Sequence, residues 1–241
     1  MYYESNRRSL LKTVSYRLWS TILTSLLVYV FTGQWMMALA IGSLEVLLKM
    51  FLYYGHERVW DRIQFGRKVA VPAVIWLTGL PCSGKSTLAL ALAEEFKQLK
   101  LKSEILDGAT IRKLFPKVGF SREERNLHIE RMGYLASRLE AHQIFVIATS
   151  ISPYTEGRDF VRGLCQHFVE VHLNTPLETC EQWDLKGRYQ RARAGELAAF
   201  TGVSDAYEIP QTPELRLDMS QQTPQQAAQE VLKYLRQQKL I

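Results

Sequence analysis

Cysteine is scarce: the chain of 241 residues has three, with no paired spacing between them. That excludes a disulfide scaffold and any Cys-rich zinc module. Nothing points to disorder or a collagen-like repeat, since 47% of the residues are hydrophobic and 22% charged. Acidic residues are few in the first 72 positions, four Asp/Glu against nine Lys/Arg, whereas residues 73–241 carry twenty against twenty-one. The net charge of +6 therefore belongs mainly to the N-terminal piece and gives no argument for nucleic acid as a partner. The length suits one medium domain with a small one attached.

Charge of either sign is missing altogether from Leu18 to Leu44, a run of 27 residues. Roughly 20 residues of helix cross the bilayer hydrocarbon, about 30 Å thick. Thr32-Gly33-Gln34 interrupts the run with turn-compatible residues. The pattern therefore predicts a membrane anchor over residues 1–72 with two transmembrane helices, over about 14–31 and about 35–54. Glu45 and Lys49 share a face of the second, where each would partly neutralise the other. Trp19, Trp35, Tyr53, Tyr54 and Trp60 fall near the expected ends, where amphipathic rings favour the interface.

Arg7, Arg8, Lys12 and Arg17 precede the first span, and Arg58, Arg62, Arg67 and Lys68 follow the second, while the connection has neither Lys nor Arg. Both termini, and everything after residue 72, are then expected on the cytoplasmic side of a two-pass anchor in the cytoplasmic membrane. A cleaved signal peptide fits poorly, because the apolar region is too long and no small-residue cleavage pattern follows. A buried hairpin of a soluble protein, or a helix pair lying on the membrane surface, stays open as an alternative. Ser9-Leu10-Leu11-Lys12-Thr13, Ile41-Gly42-Ser43-Leu44-Glu45 and His56-Glu57-Arg58-Val59-Trp60 resemble a small family of two-helix bacterial membrane domains without assigned chemistry. That resemblance bears on location alone.

After Pro72 the apolar run Ala73–Leu77 reads as a buried strand. It leads into Gly79-Leu80-Pro81-Cys82-Ser83-Gly84-Lys85-Ser86-Thr87, which fits G-x-x-x-x-G-K-[ST], and an Ala/Leu-rich helix follows over about Leu88–Leu99. Gly79 and Gly84 let the backbone curl so that successive N–H groups face phosphate oxygens. The helix N-terminus adds partial positive charge. Lys85 reaches the β- and γ-phosphates, and the Ser86 hydroxyl is a ligand for Mg²⁺. A chance glycine turn would not bring strand, helix and all four fixed residues together. The expected ligand is a nucleoside triphosphate, with Mg²⁺. Cys82 is taken as a small side chain tolerated in the loop.

A second strand, about Ser103–Leu106, ends in Asp107-Gly108, followed by Ala109-Thr110-Ile111-Arg112. Strand C-termini face the ligand crevice of an open α/β sheet. A carboxylate there holds Mg²⁺ or accepts the proton of an attacking hydroxyl, although Asp-Gly alone is also a common turn. Ser121-Arg122-Glu123-Glu124 is a capping box opening a helix of about Ser121–Ala141. Arg125, His128 and Arg131 share one face of it, suited to an anionic acceptor or simply to solvent. Further strands are expected at Ile144–Ala148 and Phe168–Leu173, with a helix between them carrying Arg158 and Arg162. The basic segment Lys186–Arg193 suits a lid over the nucleotide or a plain surface helix. Ala227, Ala228, Val231, Leu232 and Leu235 recur at helical spacing in a closing helix over Pro224–Leu240. The fold class is thus α/β, a parallel sheet of the P-loop kinase type preceded by a transmembrane helical hairpin.

Residues 73–241 also carry a set of motifs that resembles the adenylyl-sulfate kinase family. Beyond the phosphate loop these are Asp107-Gly108 with Arg112, Gly119-Phe120-Ser121 with Arg125 and Arg131-Met132-Gly133, and Ile151-Ser152-Pro153-Tyr154. The most specific are Thr175-Pro176-Leu177-Glu178-Thr179-Cys180-Glu181, Lys186-Gly187 through Arg191-Ala192-Arg193-Ala194-Gly195-Glu196, Phe200-Thr201-Gly202-Val203 and Tyr207-Glu208-Ile209-Pro210. The resemblance implies transfer of the ATP γ-phosphate to the ribose 3′-hydroxyl of adenylyl sulfate, and a homodimer.

Residue by residue, it implies that the whole loop Gly79–Thr87 holds ATP and that Ser86 and Asp107 meet the metal. Lys85 and Asp107 would act catalytically, with Ser152 matching a serine that the family has been assigned as a phosphoserine. Arg112 and Arg125 would hold the phosphosulfate, Phe120 and Phe200 would sandwich the adenine, and His128 and Ile151 would complete the acceptor site. Lys186 and Arg191 would belong to the lid. The family pattern Asp-Gly-Asp-Asn-x-Arg reads Asp-Gly-Ala109-Thr110-Ile-Arg here, and His128 and Glu130 stand where the family usually has Asn and Arg. A Glu130 facing the pocket would repel a dianionic acceptor. On those departures another alcohol (a sugar, a cyclitol or a different nucleotide) is the alternative acceptor, and a non-catalytic ATP-binding module is the third reading.

Overall fold

A computed structural model of the chain describes residues 2–4, 11–12, 14–16, 19–20, 23, 35–63, 67–115 and 119–241. It divides into two compact units, Met1–Val69 and Ala70–Ile241.

In the first unit, β1 (Tyr2–Glu4) pairs antiparallel with β2 (Arg67–Val69), and α1 runs from Trp35 to Arg62. Neither short strand is foreseen by the sequence pattern. Lys12 Nζ meets Glu57 Oε1 at 3.0 Å, and Ser15 Oγ lies 2.8 Å from His56 Nε2. Most of the expected span over 14–31, and the side chain of Glu45, lie outside the described residues. The expected helix over 35–54 falls within α1, which continues to Arg62. Among the described residues, no helix is long and apolar enough to cross a membrane.

The second unit is built on a parallel sheet. Its elements are β3 (Val74–Gly79), α2 (Lys85–Gln98), β4 (Ser103–Asp107), α3 (Gly108–Leu114), α4 (Arg122–Ala141) and β5 (Phe145–Thr149), then α5 (Thr155–Leu164) and β6 (Phe168–Leu173). Two short helices, α6 (Leu177–Gln182) and α7 (Arg188–Arg193), precede β7 (Leu215–Leu217) and α8 (Pro224–Gln237). The strand order is β4-β5-β3-β6-β7, with every pair parallel. All six residues of β3 are buried, as a central strand covered on both faces requires.

Side-chain alternation sends Val74, Trp76, Val146 and Ala148 to one face, where they pack with Ile129, Met132 and Ala136 of α4 and Val161 of α5. The α4–α5 crossing is tight enough to need glycine: a Cβ on Gly133 would lie 2.5 Å from Val161 Cγ2. On the other side, α2 packs against α8 with Leu88, Leu92 and Phe96 buried opposite Val231, Leu232 and Leu235. Burying a side chain of this size fully contributes about 1.5–3 kcal/mol.

The expected capping box on α4 is present: Ser121 Oγ accepts from Glu124 N, and Glu124 Oε2 accepts from Ser121 N. A second one, Thr223 with Gln226, opens α8 just before Pro224. The strand expected at 168–173 has those bounds, and the other three shift by a residue or two. The phosphate-loop helix begins at Lys85 rather than Leu88, because Gly84 already stands outside it as N-cap. Unforeseen elements of this unit are α3, which follows Asp107 directly, α6, and β7, whose three residues are too few to show a pattern.

Candidate active site

The C-terminal ends of β3, β4 and β5 open on one cavity of about 910 Å³. Its floor is the loop between β3 and α2. Gly84 takes φ +94°, a left-handed turn that hands the chain to α2 without a Cβ penalty. Cys82 takes φ +61°, a conformation that costs a side-chain-bearing residue about 1–2 kcal/mol. Thr175 Oγ1 donates to the Ser83 carbonyl at 3.0 Å, and Tyr189 Oη donates to that of Pro81 at 2.9 Å. The first N–H groups of α2 have no acceptor within the helix, and its dipole favours an anion there.

Lys85 Nζ folds over this loop, donating to the carbonyls of Gly79 at 2.9 Å and Leu80 at 2.6 Å and to Ser83 Oγ at 3.2 Å. Burial lowers its pKa to about 8. Pro81 through Thr87 all line the cavity, whereas Gly79 and Leu80 shape the loop from behind.

Asp107 closes β4 and caps α3. Its Oδ1 accepts from Thr110 N and Thr110 Oγ1, both at 2.8 Å, and its Oδ2 from Thr149 Oγ1 at 3.1 Å. Burial alone would push the carboxyl up, but these hydrogen bonds outweigh it and hold the pKa below the usual aspartate value. Thr110 and Thr149 are functional neighbours that the motif reading missed. The signal was there in part, since an aspartate at the end of a strand suits an N-cap, which accepts from the backbone N–H three residues on, here that of Thr110.

Arg112, Phe120, Arg125 and His128 line the far wall. The Arg112 guanidinium lies 5.0 Å from the Phe120 ring centroid and that of Arg125 lies 5.6 Å from it. Arg112 Nη1 also donates to the Gly119 carbonyl at 2.8 Å. Arg125 is buried and fixed: Nε donates to the Phe120 carbonyl at 2.8 Å, Nη1 to Thr201 Oγ1 at 2.6 Å and Nη2 to the Ala199 carbonyl, with Asp205 Oδ2 at 3.4 Å. Ile151 and Ser152 also line the cavity.

The expectation of three cations on one face of α4 needs correction. Arg125 is the charged group at the cavity. His128 is held neutral, its pKa lowered to about 4 by burial and the Arg112 charge, and Arg131 packs on Phe115 with 4.7 Å to the ring centroid. Glu130 does not line the cavity, so the anticipated repulsion has no source there. Phe200 does not line it either and packs edge-on against Tyr189 at 5.0 Å.

The basic segment also differs from expectation. Lys186 and Arg191 lie off the cavity, and Arg191 pairs with Glu196 at 3.0 Å. The guanidinium that lines it is that of Arg188, with Nη2 2.9 Å from Cys82 Sγ and Nε 3.3 Å from Asp184 Oδ1. The Asp184–Arg188 spacing of four was the available clue.

Fold and loop together define a P-loop kinase: a parallel sheet whose first central strand passes through a lysine-bearing anion loop into a helix, beside a carboxylate and an arginine-lined wall. Residues 71–218 match the adenylylsulphate kinase family, and residues 10–61 match a family described as a predicted membrane protein. The chain belongs to the adenylylsulphate kinase family. It is 49% identical over 142 residues to the adenylyl-sulfate kinase of Gloeothece citriformis, covering 58% of this chain and 81% of that protein. To the adenylyl-sulfate kinase of a Picosynechococcus strain it is 43% identical, covering 67% and 92% respectively. Among solved structures, the APS kinase of Mycobacterium tuberculosis in complex with AMPPNP and APS superposes with a TM-score of 0.67 at 34% identity, covering 70% of this chain and 99% of that one.

Proposed function

We infer that this chain phosphorylates adenylyl sulfate, moving the γ-phosphate of ATP to the ribose 3′-hydroxyl and releasing 3′-phosphoadenylyl sulfate and ADP. The observation that carries the reading is one cavity lined at once by the phosphate loop, Asp107, and the Arg112–Phe120–Arg125 wall, in a chain of this family.

ATP lies along the loop, and Lys85 swings from the carbonyls it now holds to the β- and γ-phosphates. The 3′-oxygen bonds to the γ-phosphorus as the bond from that phosphorus to the β–γ bridging oxygen breaks, and the hydroxyl proton passes to Asp107. A low-pKa carboxylate is a weak base, which suits a loose transition state in which the proton leaves late. Arg112 and Arg125 neutralise the phosphosulfate, and Phe120 offers a face for the adenine. Arg188 adds positive charge above the loop.

Mg²⁺ fits the donor set. The Asp107 carboxylate is kept ionised and the Ser86 hydroxyl lines the same cavity, two hard oxygen donors of the kind that hold Mg²⁺ together with substrate phosphates. Bound there, the ion would neutralise charge on the β- and γ-phosphates.

The test is a panel of alcohols with purified protein and ATP, read by coupled ADP release and by chromatography of the product. Turnover of adenylyl sulfate to the 3′-phospho product is the expected result. Turnover of another alcohol with none of adenylyl sulfate overturns the reading.

The N-terminal unit anchors this kinase to the cytoplasmic membrane by two passes, with both termini and the kinase in the cytoplasm. Support comes from the uncharged run Leu18–Leu44, the flanking Lys and Arg, and the match over residues 10–61. Carbonate extraction of membranes tests the anchoring and protease protection tests the topology. Release of full-length protein by carbonate would remove the anchor.

A further inference from the structure

The last turns of α1 carry two opposite faces. At about 100° per residue, Tyr53, His56, Glu57 and Trp60 share one side. Its partners come from the segment before α1. Tyr16 lies edge-on to Tyr53 with 5.4 Å between ring centroids, Ser15 Oγ lies 2.8 Å from His56 Nε2, and Lys12 Nζ pairs with Glu57 at 3.0 Å. Phe51, Tyr54, Arg58 and Arg62 fall on the reverse side, at spacings of three, four and four. That side is open: Phe51 is 76% and Tyr54 61% exposed, and Arg58 and Arg62 are exposed too. Gly55 lies beside them, and a Cβ there would meet nothing within 4 Å.

The stripe changes character along the helix axis. Phe51 offers only apolar surface. About 4.5 Å further on Tyr54 adds a hydroxyl, and Arg58 and Arg62 follow at steps of about 6 Å. Apolar, then amphipathic, then cationic is the order in which a bilayer runs from acyl chain through interface to headgroup. Tyr54 and Arg58 are joined: the guanidinium donates to Tyr54 Oη from Nε at 3.1 Å and from Nη2 at 3.0 Å, with Cζ 5.2 Å from the ring centroid. Two donors fill the lone pairs of that oxygen, so what Tyr54 has left to give is its proton. The pair shows a ligand donors alone, the complement of a phosphate. Asp61 stands at the edge of the stripe, three residues past Arg58. Arg62 keeps the balance positive, in a piece of chain with nine Lys/Arg against four Asp/Glu.

We propose that this face of α1 is a binding site for an anionic phospholipid, its phosphate on Tyr54 and Arg58 and its acyl chain along Phe51. The proposal rests on the membrane anchor inferred above and adds a ligand to it. A choline headgroup carries its own cation, which Arg62 repels, whereas a glycerol headgroup leaves the phosphate charge uncompensated.

The experiment reconstitutes the full-length protein in vesicles of equal parts phosphatidylglycerol and phosphatidylcholine, extracts it in mild detergent and measures the retained lipids by mass spectrometry. The wild type should retain phosphatidylglycerol over phosphatidylcholine by about fivefold, the return on one basic side chain at an anionic surface. Arg58→Gln should bring the ratio near unity. Tyr54→Phe, which keeps the ring and removes the hydroxyl, should lower it about twofold. Arg67→Gln removes an equal charge from outside α1 and should leave the ratio within about 1.5-fold. Glycerol 1-phosphate in solution has no chain to lay on Phe51 and should not displace the retained lipid at millimolar concentration.

Equal retention of the two lipids by the wild type overturns the proposal. So does an equal fall in Arg58→Gln and Arg67→Gln, which marks diffuse attraction to the basic flank, or displacement by glycerol 1-phosphate, which marks a site for soluble phosphate. Should Arg58→Gln fail to insert, Tyr54→Phe decides alone, and an unchanged ratio in it is the overturning result. Release of the wild type by carbonate removes the anchor first, and this site with it, while leaving the kinase reading in place.

Discussion

The indole N–H of Trp76 donates to Ser152 Oγ at 3.0 Å, and Ser152 in turn donates to Thr78 Oγ1 at 3.0 Å. Thr78 passes its own proton to the Ile151 carbonyl at 2.7 Å. The Ser152 hydroxyl is 1% exposed and its donor is already committed, so it holds the wall of the cavity rather than standing ready as a nucleophile. Ser152→Ala should therefore destabilise the protein by about 1–3 kcal/mol, the cost of orphaning the buried Trp76 donor. Turnover should fall by less than about tenfold, below the range of a lost proton-transfer group. Urea unfolding and steady-state kinetics measure the two effects. A stable variant with a thousandfold slower kcat, or ³²P retained on wild-type protein, would restore a chemical role to the hydroxyl.

Lys85 carries a pH dependence of known sign. Burial depresses its pKa to about 8, whereas the unfolded chain keeps the proton to about 10.5. The charged amine costs stability below pH 8, and that cost fades as pH rises through the interval between the two values. Polyphosphate restores a counter-charge and raises the bound pKa, so ATP binding takes up a proton above pH 8. Affinity measured by calorimetry should be flat from pH 6 to 7 and weaken through pH 8 to 9.5, with proton uptake visible in buffers of different ionisation enthalpy. Lys85→Met should abolish that slope and lower kcat/KM by at least about 10². An equal slope in the variant would assign the proton elsewhere.

Thr110 tunes Asp107. Its hydroxyl and N–H both donate to Oδ1, and with Thr149 they lower the carboxyl pKa despite burial. A depressed carboxylate adds stability that is complete above its unfolded pKa and is lost as pH falls through the folded one. Thr110→Val keeps the backbone donor and removes the hydroxyl. The acid limb of kcat/KM should move upward in that variant, and acid unfolding should begin at higher pH. Asp107→Asn should lower kcat by about 10²–10⁴. An acid limb unmoved in Thr110→Val would show that another group sets it.

The sequence made the sheet and the anion loop legible because their signals are local: apolar runs closed by Gly or Pro, and four fixed residues between a strand and a helix. Ser121 and Glu124 announced a helix start for the same reason. What periodicity could not give was direction into the cavity. Arg125 and Arg131 stand three positions either side of His128, about 120° apart on a wheel, and one is buried against Thr201 while the other lies on Phe115. Nor could spacing assign charge to His128, which depends on burial and on Arg112. Residues 186–193 read as a basic run, and only the packing of Tyr189 and Ala192 into the core chooses which arginine turns inward.

That choice gives the sharpest test of the lid. Gly187 takes φ +60° as the N-cap of α7, so Arg188 leaves the first turn toward Cys82 and Asp184, whereas Lys186 and Arg191 do not line the cavity. A guanidinium parked 2.9 Å from a phosphate-loop side chain needs little movement to meet the phosphates of ATP. Arg188→Ala should raise the KM for ATP and lower kcat, together costing kcat/KM about 10²–10³, the range for one preorganised charge at a transition state. Lys186→Ala and Arg191→Ala each remove an exposed charge and should change kcat/KM by less than about threefold. Steady-state kinetics of the three variants at fixed ionic strength decide the matter. Loss of activity confined to Lys186→Ala or Arg191→Ala would mean that the segment re-registers when the nucleotide binds, and Arg188 would then be a loop anchor held by Asp184.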